Sequence, residues 1–245
     1  MSEEKIIEVK NLSKFFDNKN ILDKIEFTIY KGQITTLIGQ NGAGKTTLAS
    51  ILLGLETNFT GNVKNFTKKI GYIPQKNNLK TNIPIRSVDM ISLLANKKMS
   101  NKQPSIKNFL NFTSDENFHN FVQLNKIKDK DISELSEGEL QKILIISILS
   151  RDVEFFILDE PTQFLDLQSQ KLLYKILKDL SQNANKAILI ISHDLFAVMR
   201  HSDQIICLNQ HICCSGKIED IHTNKDLSSA LSEIGFYAHN HDHVH

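Results

Sequence analysis

Short runs of apolar residues recur along the chain, and stretches with helical spacing follow them. Ile34–Ile38, Phe155–Leu158 and Ala187–Ile191 are each five residues or fewer, and each is rich in β-branched or aromatic residues. Continuous apolar runs of this length between helices are typical of parallel strands that are covered on both faces. We therefore predict an α/β fold with a doubly wound parallel sheet as its core.

Helices are predicted after these strands, over Lys45–Leu53, over Gln168–Leu180 and from Leu195 onward. Near the N-terminus, Ile6–Val9 and Ile25–Ile29 instead alternate between apolar and polar residues. Such alternation is typical of antiparallel strands with one solvated face. The complete sheet is therefore expected to be mixed, with antiparallel strands at the N-terminus.

The region from about residue 76 to residue 150 departs from this alternation. Its first part is rich in Asn and Lys, and Ser87–Ala95 has helical spacing. We predict a helical subdomain inserted into the α/β core, with Asn96–Asn108 as a solvated loop. One domain is then expected over residues 1–235, followed by a histidine-rich tail over residues 236–245.

Composition excludes several classes of function. The net charge is +1, and only three of the 29 basic residues are arginine, which disfavours bidentate recognition of nucleic acids. We therefore expect no nucleic-acid partner. The three cysteines are too few for a disulfide framework and indicate a reducing compartment. The N-terminus lacks the pattern of a signal peptide, and apolar runs such as Ile143–Leu149 are far shorter than the roughly 20 residues that span a bilayer.

A phosphate-binding motif lies between the strand Ile34–Ile38 and the helix that follows it. Residues 39–46, GQNGAGKT, match the P-loop pattern G-x-x-x-x-G-K-[ST]. Its glycines allow backbone N–H groups to turn towards phosphate oxygens, and the helix N-terminus adds positive potential. Lys45 is expected to reach the β- and γ-phosphates, and Thr46 to offer its hydroxyl to Mg²⁺. The predicted nucleotide-binding residues of this motif are Gly39, Gln40, Asn41, Gly42, Ala43, Gly44, Lys45, Thr46 and Thr47.

Two consecutive carboxylates follow the buried run Phe155–Leu158. Asp159 and Glu160 stand at the C-terminal end of this predicted strand, where open α/β sheets bind ligands. Asp159 is expected to hold the Mg²⁺ shell, and Glu160 to orient and deprotonate a water molecule. No Asn-Lys-x-Asp motif for guanine recognition is present, because Asn224-Lys225-Asp226 has the wrong spacing.

Further motifs resemble, in type and order, those of the ATP-binding subunits of ABC transporters over nearly the whole chain. Leu135–Glu139, LSEGE, resembles the ABC signature, which other P-loop classes lack. Gln75 falls at the Q-loop position, Leu165-Asp166 at the D-loop and His193 at the switch histidine. The resemblance implies an ATPase with ATP and Mg²⁺ as cofactors. The catalytic residues that it implies are Glu160, His193 and Gln75, and the implied Mg²⁺ ligands are Thr46, Gln75 and Asp159.

The resemblance also implies a homodimer in which two subunits enclose two ATP molecules. Each ATP would contact the P-loop of one chain and the signature of the other, so Ser136 and the backbone of Gly138 would contact the partner's γ-phosphate. Phe16 occupies the position that stacks on adenine, with Phe15 as an alternative. The helical subdomain would contact a dimeric membrane permease, which implies a peripheral subunit at the cytoplasmic face of the inner membrane.

Three segments resemble, more specifically, the ATP-binding subunits of bacterial zinc importers: GYIPQKNNL, DEPTQFLD and LNQHICCSG, the last spanning Leu208–Gly216. This resemblance implies zinc as the transported metal and a periplasmic zinc-binding protein as an indirect partner. Manganese is the alternative cargo. The alternative classes are a soluble ABC protein, which would normally carry two cassettes or a coiled-coil insertion, and a cytosolic metal-binding protein, against which the intact Lys45, Asp159 and Glu160 argue.

The tail carries a histidine at every second position: His239, His241, His243 and His245. In an extended chain these side chains project to one side, and imidazoles suit Zn²⁺. The prediction is a Zn²⁺ site on the tail, and the alternative is a polar terminus with no specific role.

Two features depart from, or add to, the family pattern. Glu137 occupies the first of two adjacent glycine positions in the signature, so its charge is expected to oppose closure over ATP. A weak or regulatory ATPase is the alternative that this residue raises.

Adjacent Cys213 and Cys214 would point to opposite faces of a strand. We therefore predict a β-hairpin whose cysteines partly fill the core, with a metal site that includes Cys207 and His211 as the alternative.

Overall fold

The computed structural model describes residues 4–17, 19–75, 84–94, 120–193 and 200–218. The strands are β1 (Lys5–Phe16), β2 (Lys19–Tyr30), β3 (Ile34–Ile38), β4 (Thr60–Asn65), β5 (Ile70–Ile73), β6 (Phe155–Asp159), β7 (Ala187–Ile191), β8 (Gln204–Asn209) and β9 (His211–Lys217). The helices are α1 (Lys45–Leu52), α2 (Ser87–Leu94), α3 (Leu124–Ile127), α4 (Glu137–Leu149) and α5 (Leu167–Ala184), with a 3-10 helix at Ile132–Glu134.

The chain divides into two compact units. Among the described residues, the first unit comprises residues 4–8, 28–34 and 64–191, and the second comprises residues 9–27, 35–63 and 192–218. The described part of the predicted helical segment 76–150 belongs to the first unit.

The first unit contains the parallel strands β5, β6 and β7, side by side in that order. Phe155 pairs with Ile70 on one side and with Ala187 on the other, and the pairing continues in register to Asp159 and Ile191. Every residue of β6 and β7 is buried, because helices cover both faces of such a sheet. The strand ends that carry Asp159 and Ile191 therefore lie level with each other.

Helices α2, α3 and α4 lie between β5 and β6 in the chain, as expected for a helical insertion. Helix α4 packs against both α2 and β5, and Ile143, Ile145 and Ile146 are fully buried. Helix α5 packs against β7. It begins at the N-cap Asp166, whose Oδ1 accepts from the Ser169 N–H over 2.8 Å, and it ends at Asn185 with a left-handed φ of 52°.

In the second unit, β8 pairs in parallel with β3 and in antiparallel fashion with β9. Thr35 to Ile38 lie opposite Gln204 to Cys207. The smaller sheet has the strand order β2-β1-β4, and the greater part of each of these strands belongs to the second unit. The described strands thus include both an antiparallel sheet and a mixed parallel one, which confirms the predicted fold class.

The N-terminal strands are longer than predicted. The alternation indicates only Ile6–Val9 and Ile25–Ile29, whereas β1 and β2 have 12 residues each. Asn11 and Lys24 adopt left-handed φ values of 50° and 46° inside these strands. A left-handed residue interrupts the two-residue period, so the pattern breaks in the sequence while the hydrogen-bonded strand continues.

Elsewhere the predicted elements agree closely with the structure. Strands β3 and β7 have the predicted bounds, α1 ends one residue early at Leu52, and α5 extends beyond Gln168–Leu180 at both ends. The predicted helix from Leu195, the loop Asn96–Asn108 and the tail lie outside the described residues.

Candidate nucleotide-binding site

The P-loop joins β3 to α1 within the second unit. The Ala43 N–H donates to the Gln40 carbonyl over 3.2 Å, which closes a turn in the loop. The Ala43 carbonyl in turn accepts from the Gln210 N–H over 3.1 Å, which ties the loop to the segment between β8 and β9. These hydrogen bonds stabilise the curved conformation of the loop.

Two glycines of this loop are required by the space around them. A Cβ at Gly39 would collide with the carbonyl oxygen of Leu208. A Cβ at Gly44 would lie 2.7 Å from Leu22 Cδ2 and 2.9 Å from the Ile21 carbonyl oxygen, and Gly44 has a φ of 98°. Close backbone approach and left-handed φ values are the two conditions that glycine satisfies best.

Lys45 and Thr46 open helix α1. Lys45 Nζ donates to the carbonyls of Gly39 and Gln40, over 2.7 Å and 3.0 Å, so its ammonium group lies over the loop. Thr46 is exposed, and the first turn of α1 contains no acidic residue. A helix start with this composition has a positive potential, which suits a phosphate.

The two predicted carboxylates lie at the end of β6 in the first unit. Asp159 and Glu160 are only 2% and 5% exposed. Glu160 adopts a left-handed φ of 49°, and its N–H donates to the carbonyl of Ile191 on the neighbouring strand over 2.9 Å. Such a conformation is strained for a residue other than glycine and is common at functional sites.

Tyr72 is a neighbour of this acidic pair that the sequence motifs do not identify. It lies on β5 opposite Ile157 of β6. Burial raises the pKa of Tyr72, and the negative charge of Asp159 raises it further. Strand pairing thus places Tyr72 opposite the residue two positions before Asp159, and this pairing is the signal that could have suggested their proximity. Gln75, two residues beyond β5, is exposed.

The signature begins helix α4 with a reciprocal cap. The Glu139 N–H donates to Ser136 Oγ over 3.2 Å, and the Ser136 N–H donates to Glu139 Oε2 over 2.9 Å. Lys130 Nζ contacts the other carboxylate oxygen, Oε1, over 3.1 Å. The hydrogen bond from the Ser136 backbone is the largest cause that holds the pKa of Glu139 below its usual value, with Lys130 adding to it. Glu137, in the same turn, is exposed.

Helix α4 also approaches the loop that follows Glu160. A Cβ at Gly138 would lie 2.6 Å from the carbonyl oxygen of Phe164, a residue with a left-handed φ of 67°. Gln141 Nε2 donates to the Pro161 carbonyl over 3.4 Å. The small residue at position 138 thus allows the signature helix to pack closely against the loop that follows Glu160, a role in addition to the predicted phosphate contact.

The remaining predicted residues lie at the ends of strands. Phe15 and Phe16, at the end of β1, are 55% and 65% exposed. His193 follows β7 and is exposed. The first unit contains Gln75, Asp159, Glu160, Ser136 and Gly138, whereas the P-loop, Phe16 and His193 belong to the second unit.

The cysteines lie in the predicted hairpin, β8–β9. Cys214 is buried and Cys213 is half-buried, as expected for adjacent residues on opposite faces. Cys207 and Cys214 lie directly opposite each other across the hairpin, with 4.9 Å between their Cα atoms, a separation that a disulfide can span. Strand register brings these two cysteines opposite each other, a proximity that composition does not reveal. Among the described residues, no cluster of three or more His, Cys, Asp or Glu side chains could hold a metal ion.

Comparison with known proteins places this geometry in a family. The family described as "ABC transporter" matches residues 22–163, more than half of the chain. The zinc import ATP-binding protein ZnuC of Rickettsia prowazekii (strain Madrid E) is 45% identical over 241 residues, which span 98% of each chain. The protein of the same name from Buchnera aphidicola subsp. Acyrthosiphon pisum (strain APS) is 36% identical over 98% of each chain.

The solved structure of an ATP binding subunit of an ABC transporter superposes with a TM-score of 0.76, at 21% identity, over 94% of this chain and 99% of that one. The structure and the motifs define a P-loop nucleotide-binding protein. The chain belongs to the ABC transporter family. None of the helices in the described part of the chain is long and apolar enough to cross a membrane.

Proposed function

We propose that this chain is the ATP-hydrolysing subunit of an ABC importer and that it drives zinc across the cytoplasmic membrane. The observation that carries the proposal is the similarity, over nearly the whole length, to proteins named as zinc import ATP-binding proteins. The P-loop and the buried carboxylates supply the chemistry that such a subunit requires. Manganese is the alternative cargo.

The P-loop would bind the phosphates of ATP. Its curved backbone and the non-acidic start of α1 favour an anion, and Lys45, which already lies over the loop, would contact the β- and γ-phosphates. The residues present also fit Mg²⁺, because the Thr46 hydroxyl and the Asp159 carboxylate are oxygen ligands of the kind that this ion prefers. Mg²⁺, when bound, would neutralise negative charge on the phosphates.

Hydrolysis requires a group that orients and deprotonates water. Glu160 is the proposed base, because it is buried at a strand end and its left-handed backbone is tied to Ile191. Gln75 is proposed as a further Mg²⁺ ligand and His193 as a contact of the γ-phosphate. Both are exposed at strand ends, where a ligand could reach them.

The proposed active form is a homodimer with two ATP molecules at its interface. Ser136 and the backbone of Gly138 would contact the γ-phosphate bound by the partner, and Phe16, or Phe15 beside it, would stack on adenine. A dimer of membrane permeases would bind the helical subdomain and hold the subunit at the cytoplasmic face of the inner membrane. A periplasmic zinc-binding protein would deliver the metal to that permease.

The histidine-rich tail is proposed as a reversible site for the transported zinc. His239, His241, His243 and His245 lie outside the described residues, so this proposal rests on their spacing in the sequence. The tail would bind zinc near the cytosolic exit. It would act there either as an acceptor of the imported metal or as a sensor that slows import.

Replacing Glu160 with Gln tests the hydrolytic function. The amide keeps the size and hydrogen-bonding capacity of the side chain but cannot accept a proton, so ATP hydrolysis should fall by about 10²- to 10⁴-fold. ATP binding should persist, and an ATP-bound dimer should accumulate on size-exclusion chromatography. Lys45→Ala should instead weaken nucleotide binding. Wild-type turnover in the Glu160→Gln protein would exclude Glu160 as the base.

A matched control is Glu154→Gln. It makes the same change at the opposite end of β6 from Glu160, one residue before the strand begins. Its turnover should equal that of the wild type.

Transport assays test the cargo. Vesicles that contain the subunit assembled with its permease should accumulate zinc when ATP is supplied. Faster uptake of manganese than of zinc would favour the alternative importer.

A further inference from the structure

The start of α2 is bound to the segment that leads into the signature. The Ser87 N–H and the Ser87 Oγ both donate to the Lys130 carbonyl, over 3.0 Å and 3.1 Å. The Val88 N–H donates to the Lys128 carbonyl over 3.2 Å. Because Ser87 is fully buried, these bonds fix the backbone of Lys130 from the α2 side.

The side chain of Lys130 extends from this fixed backbone to the signature. Its Nζ lies 3.1 Å from Glu139 Oε1, and Glu139 Oε2 accepts from the Ser136 N–H over 2.9 Å. Ser136 Oγ accepts from the Glu139 N–H. A continuous series of polar contacts therefore runs from Lys130 through Glu139 to Ser136, which is the signature residue proposed to contact ATP.

The first turn of α4 carries two negative charges, and Lys130 compensates one of them. Glu137 and Glu139 both lie in the first turn of α4. Among the described residues, Lys130 is the cation that pairs with Glu139, and Glu137 has no such partner. A carboxylate favours the start of a helix but repels an approaching phosphate. The Lys130 cation neutralises one of the two carboxylates and keeps it turned towards the Ser136 N–H.

We propose that Lys130 is a positioning residue for the ATP-dependent step: by pairing with Glu139 it offsets a carboxylate of the signature and holds Ser136 in place for the partner's γ-phosphate. This inference rests on the proposed function. Lys130 touches no reacting atom, so its influence passes through Glu139.

The expected effect is on the concentration of ATP required rather than on the maximal rate. Ser136 would contact ATP only when two chains close around the nucleotide. A Glu139 carboxylate without its cation would repel the partner's ATP during this closure and so raise the KM for ATP. The pair is partly exposed, at 41% and 30%, and is therefore screened by water. Partly exposed ion pairs contribute only a small free energy. Loss of this one should therefore raise the KM for ATP about two- to fivefold.

Steady-state ATP hydrolysis by the full chain tests the inference with four variants. Lys130→Met removes the cation, and Lys130→Arg keeps it. Glu139→Gln removes the carboxylate while retaining an oxygen that can accept from the Ser136 N–H, and it is combined with Lys130→Met in the double variant. Lys126→Met is the matched control, because Lys126 Nζ contacts Gln123 rather than the signature helix.

The expected result is a raised KM at unchanged kcat for Lys130→Met alone. Lys130→Arg, the double variant and Lys126→Met should keep the wild-type KM. Raising the salt concentration should shrink the defect, since partly exposed charges are screened. Such rescue and salt dependence would not follow from a merely structural role.

Two results would overturn the inference while leaving the proposed function standing. One is an unchanged KM in Lys130→Met, and the other is a raised KM that persists in the double variant, because Lys130 would then act through a group other than Glu139. A wild-type chain that hydrolyses no ATP would overturn the proposed function itself, and this inference with it.

Discussion

The ammonium group of Lys14 is buried in the second unit and pairs with Glu56, whose Oε2 lies 3.1 Å from Lys14 Nζ. The Lys14 side chain is only 6% exposed, and its Nζ also donates to the Asn58 carbonyl over 2.7 Å. The contact ties strand β1 to the segment that follows α1, the P-loop helix. A buried ammonium group is costly unless it is paired and hydrogen-bonded, so Glu56 compensates a charge inside the nucleotide-binding unit.

Replacing Glu56 with Gln should lower the melting temperature, because the buried Lys14 would lose its counter-charge. The hydrogen bond from the Asn58 N–H, followed by that from Lys14, holds the pKa of Glu56 below its ordinary value of 4.5. A lowered folded pKa contributes stability above pH 4.5, and this is lost as the pH falls through the folded pKa. The difference between wild type and variant in thermal unfolding should therefore be full near neutrality and shrink in acid.

Glu26→Gln is the control for that experiment. Glu26 is exposed on β2, so the same loss of charge should leave the melting temperature close to that of the wild type. An equal stability of wild type and Glu56→Gln at neutral pH would show that Lys14 does not depend on this carboxylate.

Gly44→Ala should destabilise the chain and weaken nucleotide binding. A left-handed φ costs a non-glycine residue about 1–3 kcal/mol, and here the new methyl group would also press on Leu22 and Ile21. Gly54 separates the two effects, because it has a φ of 72° but open space around it. Urea unfolding should show a larger loss for Gly44→Ala than for Gly54→Ala. Equal losses would mean that Leu22 moves aside at no cost.

Much of this fold could be predicted because its signals are local. The strands β3 and β7 consist of uninterrupted runs, and the P-loop and the signature are contiguous in sequence, so each motif identifies its own residues. The β1 and β2 boundaries could not be found in the same way, because Asn11 and Lys24 interrupt the alternation without ending the strand. Local pattern thus fails where the backbone changes its φ but keeps its pairing.

The parts of the candidate site that were missed depend on contacts between distant segments. Tyr72 and Asp159 are 87 positions apart and become neighbours only because β5 pairs with β6. The close approach of Gly138 to Phe164, and the pairing of Cys207 with Cys214, likewise depend on packing and strand register. A single sequence does not encode such pairings in any short pattern, whereas the capping box at Ser136 and Glu139 could be predicted from four residues.

Glu137→Gly should raise the affinity for ATP or its turnover. The exposed carboxylate lies in the first turn of α4, beside the serine proposed to meet the partner's γ-phosphate, and its removal is expected to favour closure by roughly 1 kcal/mol. Glu137→Gln serves as the second variant, because glycine also weakens a helix whereas glutamine does not. Both should lower the KM for ATP in the assembled transporter. An unchanged or slower rate in both would show that the carboxylate points away from the nucleotide.

Deleting residues 239–245 should abolish zinc binding by the isolated subunit while leaving its basal ATPase activity intact. The tail is far in sequence from Lys45 and Glu160, so it is not expected to contribute to hydrolysis. Imidazole binds Zn²⁺ only when neutral, so zinc binding by the full chain should weaken as the pH falls through about 6.5. Isothermal titration calorimetry with zinc chloride, at pH values on both sides of that point, measures both effects.

In a second variant, asparagine replaces the four alternate histidines of the tail. The tail keeps its length and polarity, so this variant distinguishes the loss of the imidazole ligands from the loss of the segment itself. It should bind zinc as poorly as the truncated protein. The structure offers few competing ligands in the described residues, since no cluster of three or more His, Cys, Asp or Glu side chains that could hold a metal ion is present there. If the full, truncated and asparagine-substituted chains bind zinc with equal affinity, the tail is not the site, and Cys213 with His211 on β9 becomes the next place to test.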